Sequence, residues 1–275
     1  MTTTKRIATD VGGTFTDLVA IETGPEGMKI TTAKSDTTPP NFETGVLNVI
    51  SKGNIDPKDL DFMVHGTTVV INAITERKGV AVGLITTEGF RDTLEIARGN
   101  RPDFFNLHYE KPEPFVPRYL RAEVPGRMTY LGSERTPLEL SGLPNIVAHF
   151  RAEGVQAVAI SLLHSYANTA HEEAVLAEVK RLWPDVSIVA SHQITREWRE
   201  YERSNTAVLS AYVQPIAARY LGNLDESLRA QGLPQSPYIM QSNCGVDSLA
   251  ATCAVPITMV ESGPASGFWG AAELG

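Results

Sequence analysis

Residues 10–17 read DVGGTFTD, and how that octet folds decides what kind of protein surrounds it. On either side, residues 5–11 and 15–22 have the pattern of β-strands, with Gly12 and Gly13 between them. Two readings fit. Gly-Gly makes a good two-residue turn of a β-hairpin. The same glycines, free to take positive φ and lacking Cβ atoms, let backbone N–H groups point at an anion such as a phosphate. Thr14 and Thr16 then add hydroxyl donors. Asp10, at the end of the first strand, is placed to hold a Mg²⁺ that bridges phosphate oxygens. The octet is neither a Walker A loop nor a dinucleotide fingerprint, because both require a helix after the glycines.

Outward from the octet, strand and helix patterns alternate, which predicts an α/β protein. A third strand is expected over 28–35, a short amphipathic helix ending at Gly53, and a strand over 61–68 with a helix to about Arg77. A buried strand follows at 80–87, and residues 89–99 read as helical. Residues 99–128 break the rhythm. Five prolines (Pro102, Pro112, Pro114, Pro117 and Pro125) forbid a regular helix or a central strand, and interleaved aromatics predict an ordered loop. Alternation resumes with a helix through Arg151, a strand at 155–163, and a helix capped by Asn168 and stopped by Pro184. A strand at 185–191 and a helical region from about Glu197 to Gly232, interrupted at Pro215, complete it. The mixed charges of REWREYERS (196–204) read as a solvated helix face. MVESGPASGFWGAAELG (259–275) reads as a strand, a glycine turn and the start of a helix that implies a continuation beyond Gly275.

Two further turns attract attention. In HGTTVVINA (65–73), His65, Thr67 and Thr68 sit where a strand gives way to a helix, so free N–H groups offer an anion site; Thr67 as a plain N-cap is the alternative. In ESGPASG (261–267), Ser262 and Gly263 open a helix, with Ser262 as a possible cap and Pro264 in the first turn.

Composition narrows the function classes. The 275 residues are 42% hydrophobic and 20% charged, as in a water-soluble globular protein. A formal net charge of −8 argues against nucleic acid or an anionic membrane as the main partner. No apolar run approaches the roughly 20 residues that span a bilayer, and no signal-peptide core follows Met1. Cys244 and Cys253 match no zinc spacing and read as two small buried thiols of a reducing, cytoplasmic compartment.

Together, DVGGTFTD, HGTTVVINAITERKG (65–79), GLITTEGFRDTLEIARGNRPDFFNL (83–107), MQSNCGV (240–246) and SGPASG (262–267) resemble the hydantoinase A and oxoprolinase family. That family includes ATP-dependent N-methylhydantoinases, 5-oxoprolinases and ATP-using subunits of ketone carboxylases. The resemblance implies an actin-like ATPase fold of ribonuclease-H-like domains: one over residues 1 to about 240, with the loop at about 99–128 inserted, and a second beginning at about 241–275. It implies ATP and Mg²⁺ as cofactors and a cyclic amide as substrate. Phosphorylation of the amide oxygen would open the ring; an ATP-dependent ketone carboxylase subunit and a non-catalytic interaction domain are the alternatives. Asp10 and His65 take catalytic roles in this expectation, with Asp10 at the metal. Gly12, Gly13, Thr14, Thr16, Thr67, Thr68, Ser262 and Gly263 contact the nucleotide, and a hydantoinase B-type subunit completes a homo- or hetero-oligomer. The sequence departs from the family where Cys244 replaces a usual glycine. Family members are also longer, with a second glycine-rich phosphate loop beyond the SGP turn.

Overall fold

The computed structural model describes residues 3–100 and 103–274. The chain forms two compact units, Met1–Gly79 with Ile216–Gly275, and Val80–Pro215. The border expected near residue 240 falls inside the first of them.

The first unit starts with β1 (Thr4–Val11), β2 (Phe15–Gly24) and β3 (Gly27–Asp36), then α1 (Phe42–Lys52), β4 (Phe62–Thr67) and α2 (Val69–Thr75). The second unit holds β5 (Val82–Thr87), α3 (Thr93–Ile96), β6 (Arg121–Val124), β7 (Arg127–Met128) and β8 (Glu134–Thr136). It continues with α4 (Leu143–Ala152), β9 (Ala157–Ser161), α5 (Ala170–Leu182), β10 (Ser187–Ala190), α6 (Ser191–Ile194) and α7 (Glu200–Ala230), the last running on into the first unit. There the chain adds β11 (Tyr238–Met240), β12 (Val246–Ser248), α8 (Leu249–Ala254) and α9 (Ser262–Leu274).

In the first unit six strands form a mixed sheet in the order β12-β11-β4-β1-β2-β3. β1, β2 and β3 are antiparallel neighbours, whereas β4 runs parallel to β1 and β11 parallel to β4. Alternation along β1 and β2 turns Ile7, Val11 and Leu18 to one face, where they meet Val46, Val49 and Ile50 of α1 and Leu224 and Leu228 of α7. Burying side chains of this size contributes roughly 1.5–3 kcal/mol each, so this core fixes the register of β1 against its neighbours.

The second unit is built on a four-stranded sheet, β10-β9-β5-β6, parallel throughout. Every residue of β5 and β9 is buried, as in parallel sheets covered on both faces. Several expectations are corrected here. The 99–128 segment is not wholly irregular: β6 lies within it, between Pro117 and Pro125, and pairs only with β5. The prolines bound this strand and confine it to the sheet edge, where a missing N–H costs no ladder bond. The helix expected over 89–99 shrinks to the single turn α3. Pro215 does not interrupt α7, which is continuous around it, and the carbonyl of Tyr212 near that proline accepts the Val80 N–H at 3.0 Å. No strand forms at 259–261; a 3₁₀ turn at Pro256–Met259 leads to α9.

The solvated face expected at 196–204 holds for Arg196 to Arg199, which are exposed, but not for Arg203. Arg203 is 1% exposed, with its guanidinium donating to the carbonyls of Leu162 (2.7 Å) and Glu197 (2.8 Å) and to Ser191 Oγ. Beside it lies Glu172, also fully buried. Burial alone would raise its pKa, but donors from His192, Ser191 and the Leu162 N–H hold it below the ordinary carboxylate value. The thiols differ as well: Cys244 and Cys253 are only half-buried. Among the described residues no helix is long and apolar enough to cross a membrane.

Candidate phosphate-binding site

β1, β4 and β11 are parallel, so their carboxyl ends lie on one edge of the first unit's sheet. The three turns singled out in the sequence all leave from that edge or abut it. In open α/β sheets, ligands bind at this kind of edge.

The octet is a hairpin. β1 pairs with β2 in full register from Thr4↔Thr23 to Val11↔Thr16, and Gly12 N–H closes the turn on Phe15 O at 2.9 Å. Neither Gly12 nor Gly13 takes the left-handed backbone that the sequence allowed. What the glycines supply is space. A Cβ on Gly13 would meet nothing within 4 Å, and the N–H groups of Gly13 and Thr14 donate to no protein acceptor among the described residues. The start of the following segment staples the turn from behind: Thr37 N–H donates to Thr14 O (2.9 Å) and Thr37 Oγ1 to Gly12 O (2.9 Å). Thr16 belongs to this brace rather than to the surface. Its side chain is buried and bonds Thr37 Oγ1 at 3.2 Å.

Asp10 stands beside this turn, opposite Asp17 on β2 and Gly66 on β4. Its carboxylate leans over Gly66 closely enough that a Cβ there would lie 2.9 Å from Oδ1. Desolvation by the surrounding strands, and then the charge of Asp17, raise its pKa above the ordinary value. Asp17 is itself paired with Lys34 at 2.9 Å. A carboxylate under such strain is relieved by a cation, which fits the expected metal. Among the described residues, no group of three or more His, Cys, Asp or Glu side chains could hold a metal by itself. A Mg²⁺ here would take one protein carboxylate and fill its other positions with phosphate oxygens and water, a common arrangement for that ion.

His65 does not face solvent. It is fully buried, with Nδ1 bonded to Thr9 Oγ1 (2.8 Å) and Nε2 to Tyr220 OH (2.6 Å). Burial lowers its pKa to about 3, so it is neutral at physiological pH. The same burial pushes the Tyr220 phenol upward. Both ring nitrogens of His65 are thus committed inside the fold. Alternation along β4 explains the inversion: His65 and Thr67 point into the core, and Gly66 between them points at Asp10.

Thr67 is buried too, accepting the Val69 N–H on Oγ1 at 3.2 Å and so capping the start of α2. Thr68 ties β4 to β1, its N–H and Oγ1 both donating to Val11 O at 2.9 and 3.1 Å. Ser262 reaches the same edge: its buried Oγ lies 3.5 Å from Thr67 O, inside the first turn of α9 rather than ahead of it. Gly263 follows with open space where a Cβ would be. The 241–245 loop closes this side through Gln241 N–H to Gly245 O (2.9 Å) and Ser242 Oγ accepting the Glu261 N–H (3.1 Å). Sequence reasoning missed Gly66 and Thr37. A glycine between His65 and Thr67 in a strand pattern was the available signal for the first; nothing local marked the second.

Known proteins resemble this chain in sequence and in fold. The profile of the hydantoinase/oxoprolinase N-terminal region matches residues 6–182, and that of hydantoinase/oxoprolinase matches residues 203–275. The caprolactamase subunit alpha of Pseudomonas jessenii is 34% identical over 271 residues, covering 95% of this chain and 38% of its own length. The acetophenone carboxylase gamma subunit of Aromatoleum aromaticum is 31% identical, with 96% and 38% covered. The crystal structure of the ATP-dependent caprolactamase superposes with a TM-score of 0.84 at 32% identity, over 98% of this chain and 41% of that one. Nucleotide-free acetone carboxylase shares the fold with a TM-score of 0.86 at 24% identity, over 98% and 40%. The chain thus spans about two-fifths of the length of the relatives it matches.

Proposed function

The chain belongs to the hydantoinase/oxoprolinase family, with its mixed α/β actin-like ATPase fold, and from this we propose that it carries the phosphate-binding hairpin of an ATP-dependent enzyme that opens a cyclic amide. The observation that carries the reading is Asp10 beside a hairpin turn whose Gly13 and Thr14 N–H groups have no protein acceptor among the described residues. When bound, Mg-ATP supplies the phosphoryl group that activates an amide or ketone oxygen, a reaction that depends chiefly on positioning and charge neutralisation.

The residues divide that work. Gly13 and Thr14 offer backbone donors at a turn held rigid by Thr37 and Thr16. Asp10 would repel a bare phosphate, so it selects a phosphate accompanied by a divalent cation and fixes that cation against the turn. Gly66 leaves room for the carboxylate, and the Thr9–His65–Tyr220 chain holds β4 at the depth that keeps it there. Gly263 and the first turn of α9 present a second open backbone at the same edge.

A second reading, a subunit of an ATP-dependent ketone carboxylase, is favoured by the identity to the acetophenone carboxylase subunit. Both relatives named above are subunits, which supports a hetero-oligomer with a B-type partner. Asp10→Ala in the full-length protein should abolish substrate-dependent ATP hydrolysis while leaving the circular dichroism spectrum unchanged; unaltered turnover would remove Asp10 from the site. Screening the full-length protein and its partner subunit for ATP hydrolysis against hydantoins, lactams and ketones, with and without bicarbonate, separates the two readings.

A further inference from the structure

The second unit has its own carboxyl edge, and the hairpin site does not account for what gathers there. Thr87 ends β5, Gly126 follows β6, and the two-stranded ribbon of β7 and β8 brings Arg127 opposite Thr136. With Glu88 and Arg135 they line a cavity of about 340 Å³. Among the described residues, neither Arg127 nor Arg135 forms an ion pair, whereas Arg91, Arg98, Arg118 and Arg121 of the same unit each do. The Arg127 guanidinium is held over the Phe90 ring, 4.9 Å from its centroid, a stacking that leaves its edge donors free. Gly126 cannot be replaced without disturbing this corner. Its φ is 138°, and a Cβ would come within 2.9 Å of the Leu138 backbone.

A second feature lies within electrostatic reach of Arg127. His164, just beyond β9, adopts φ 61°, a left-handed backbone that a side chain of its size rarely takes and that concentrates at functional sites. Partial burial, with the nearby charges of Arg127 and Arg203, lowers its pKa against the opposing charge of Glu200, and its Nδ1 is bonded to Tyr166 OH at 3.1 Å. The cavity lining therefore sets two guanidinium groups against one carboxylate, Glu88. That balance accommodates a small monoanion, and guanidinium forks recognise planar O–C–O groups through paired hydrogen bonds.

We propose that this cavity is a subsite for a carboxylate or bicarbonate ion, gripped by Arg127 and Arg135 at the carboxyl edge of the parallel sheet. The assignment rests on the proposed function, since the carboxylate of an oxoproline-type ring and the bicarbonate of a carboxylation are the two sources of such an anion.

Titrating the 275-residue chain with sodium bicarbonate, 5-oxoproline or sodium chloride at constant ionic strength, and following arginine side-chain and amide resonances, tests it. Saturable shifts around Arg127, Arg135 and His164 are expected with at least one of the first two ligands and not with chloride. Arg135 is exposed and its side chain makes no hydrogen bond or ion pair among the described residues, so Arg135→Gln should fold normally and weaken that binding about tenfold. Which ligand saturates identifies the source of the anion. Absence of saturation with both, an equal response to chloride, or unchanged affinity in Arg135→Gln would overturn the subsite. No nucleotide is present, so a failure of the ATP reading leaves this result untouched.

Discussion

Cys244 shows how a single residue records a backbone demand. Its φ of 67° lies in the left-handed region, in the tight loop closed by Gln241 and Gly245, and this is the position where the family usually carries glycine. Holding a side chain there costs about 1–2 kcal/mol, part of which a glycine would return as backbone entropy lost on folding. The weak Sγ–H contact to Ala265 O offsets little. Cys244→Gly should therefore stabilise the protein by about 0.5–1 kcal/mol, raising Tm by roughly 1–4 °C in a thermal melt. Gly66 makes the opposite case, with a side chain absent because Asp10 occupies its space. Gly66→Ala should displace the Asp10 carboxylate and reduce ATP hydrolysis of the full-length protein nearly as far as Asp10→Ala, with little loss of Tm; wild-type turnover would show that Asp10 tolerates the intrusion.

At the scale of elements, β4 is informative because its two faces have opposite duties. The core face carries His65 and Thr67, and the other face presents Gly66 to Asp10. A buried histidine with a lowered pKa makes folding sensitive to acid. The unfolded chain takes up the proton near pH 6.5, while the folded one resists until about pH 3. Stability is thus intact above pH 6.5 and falls with acidification across that window, by up to about 1.4 kcal/mol per pH unit from this group. Urea unfolding between pH 7 and 4 should show a shallower loss in His65→Gln than in the wild type, although the variant starts lower at pH 7. Equal slopes would mean that His65 is protonated in the folded state. β6 and α7 carry a related lesson. Prolines around β6 read as an ordered loop and hid the strand, because pairing with β5 is a long-range gain. Charge alternation in α7 missed Arg203, because its partners Leu162 and Ser191 come from distant segments.

For the molecule as a whole, the proposed phosphate hairpin belongs to a chain that spans about two-fifths of the length of the caprolactamase relative. If a second phosphate loop and the adenosine contacts lie outside these 275 residues, calorimetry on the 275-residue chain should detect weak ATP binding or none, and a longer form should bind with Mg²⁺ dependence. Micromolar affinity in the shorter chain would place the adenosine site within it. Sequence alone determined the α/β alternation, the hairpin at Gly12–Gly13, the family and the positions of the three turns, because strand periodicity, glycine spacing and motif order are local properties. Which side chains face the edge was decided only by tertiary structure. Asp10 stays at the surface, while His65, Thr16 and Thr67 turn inward. Strand alternation fixes their relative directions, but only the packing of α1 and α7 against one face of the sheet chooses which direction is the core.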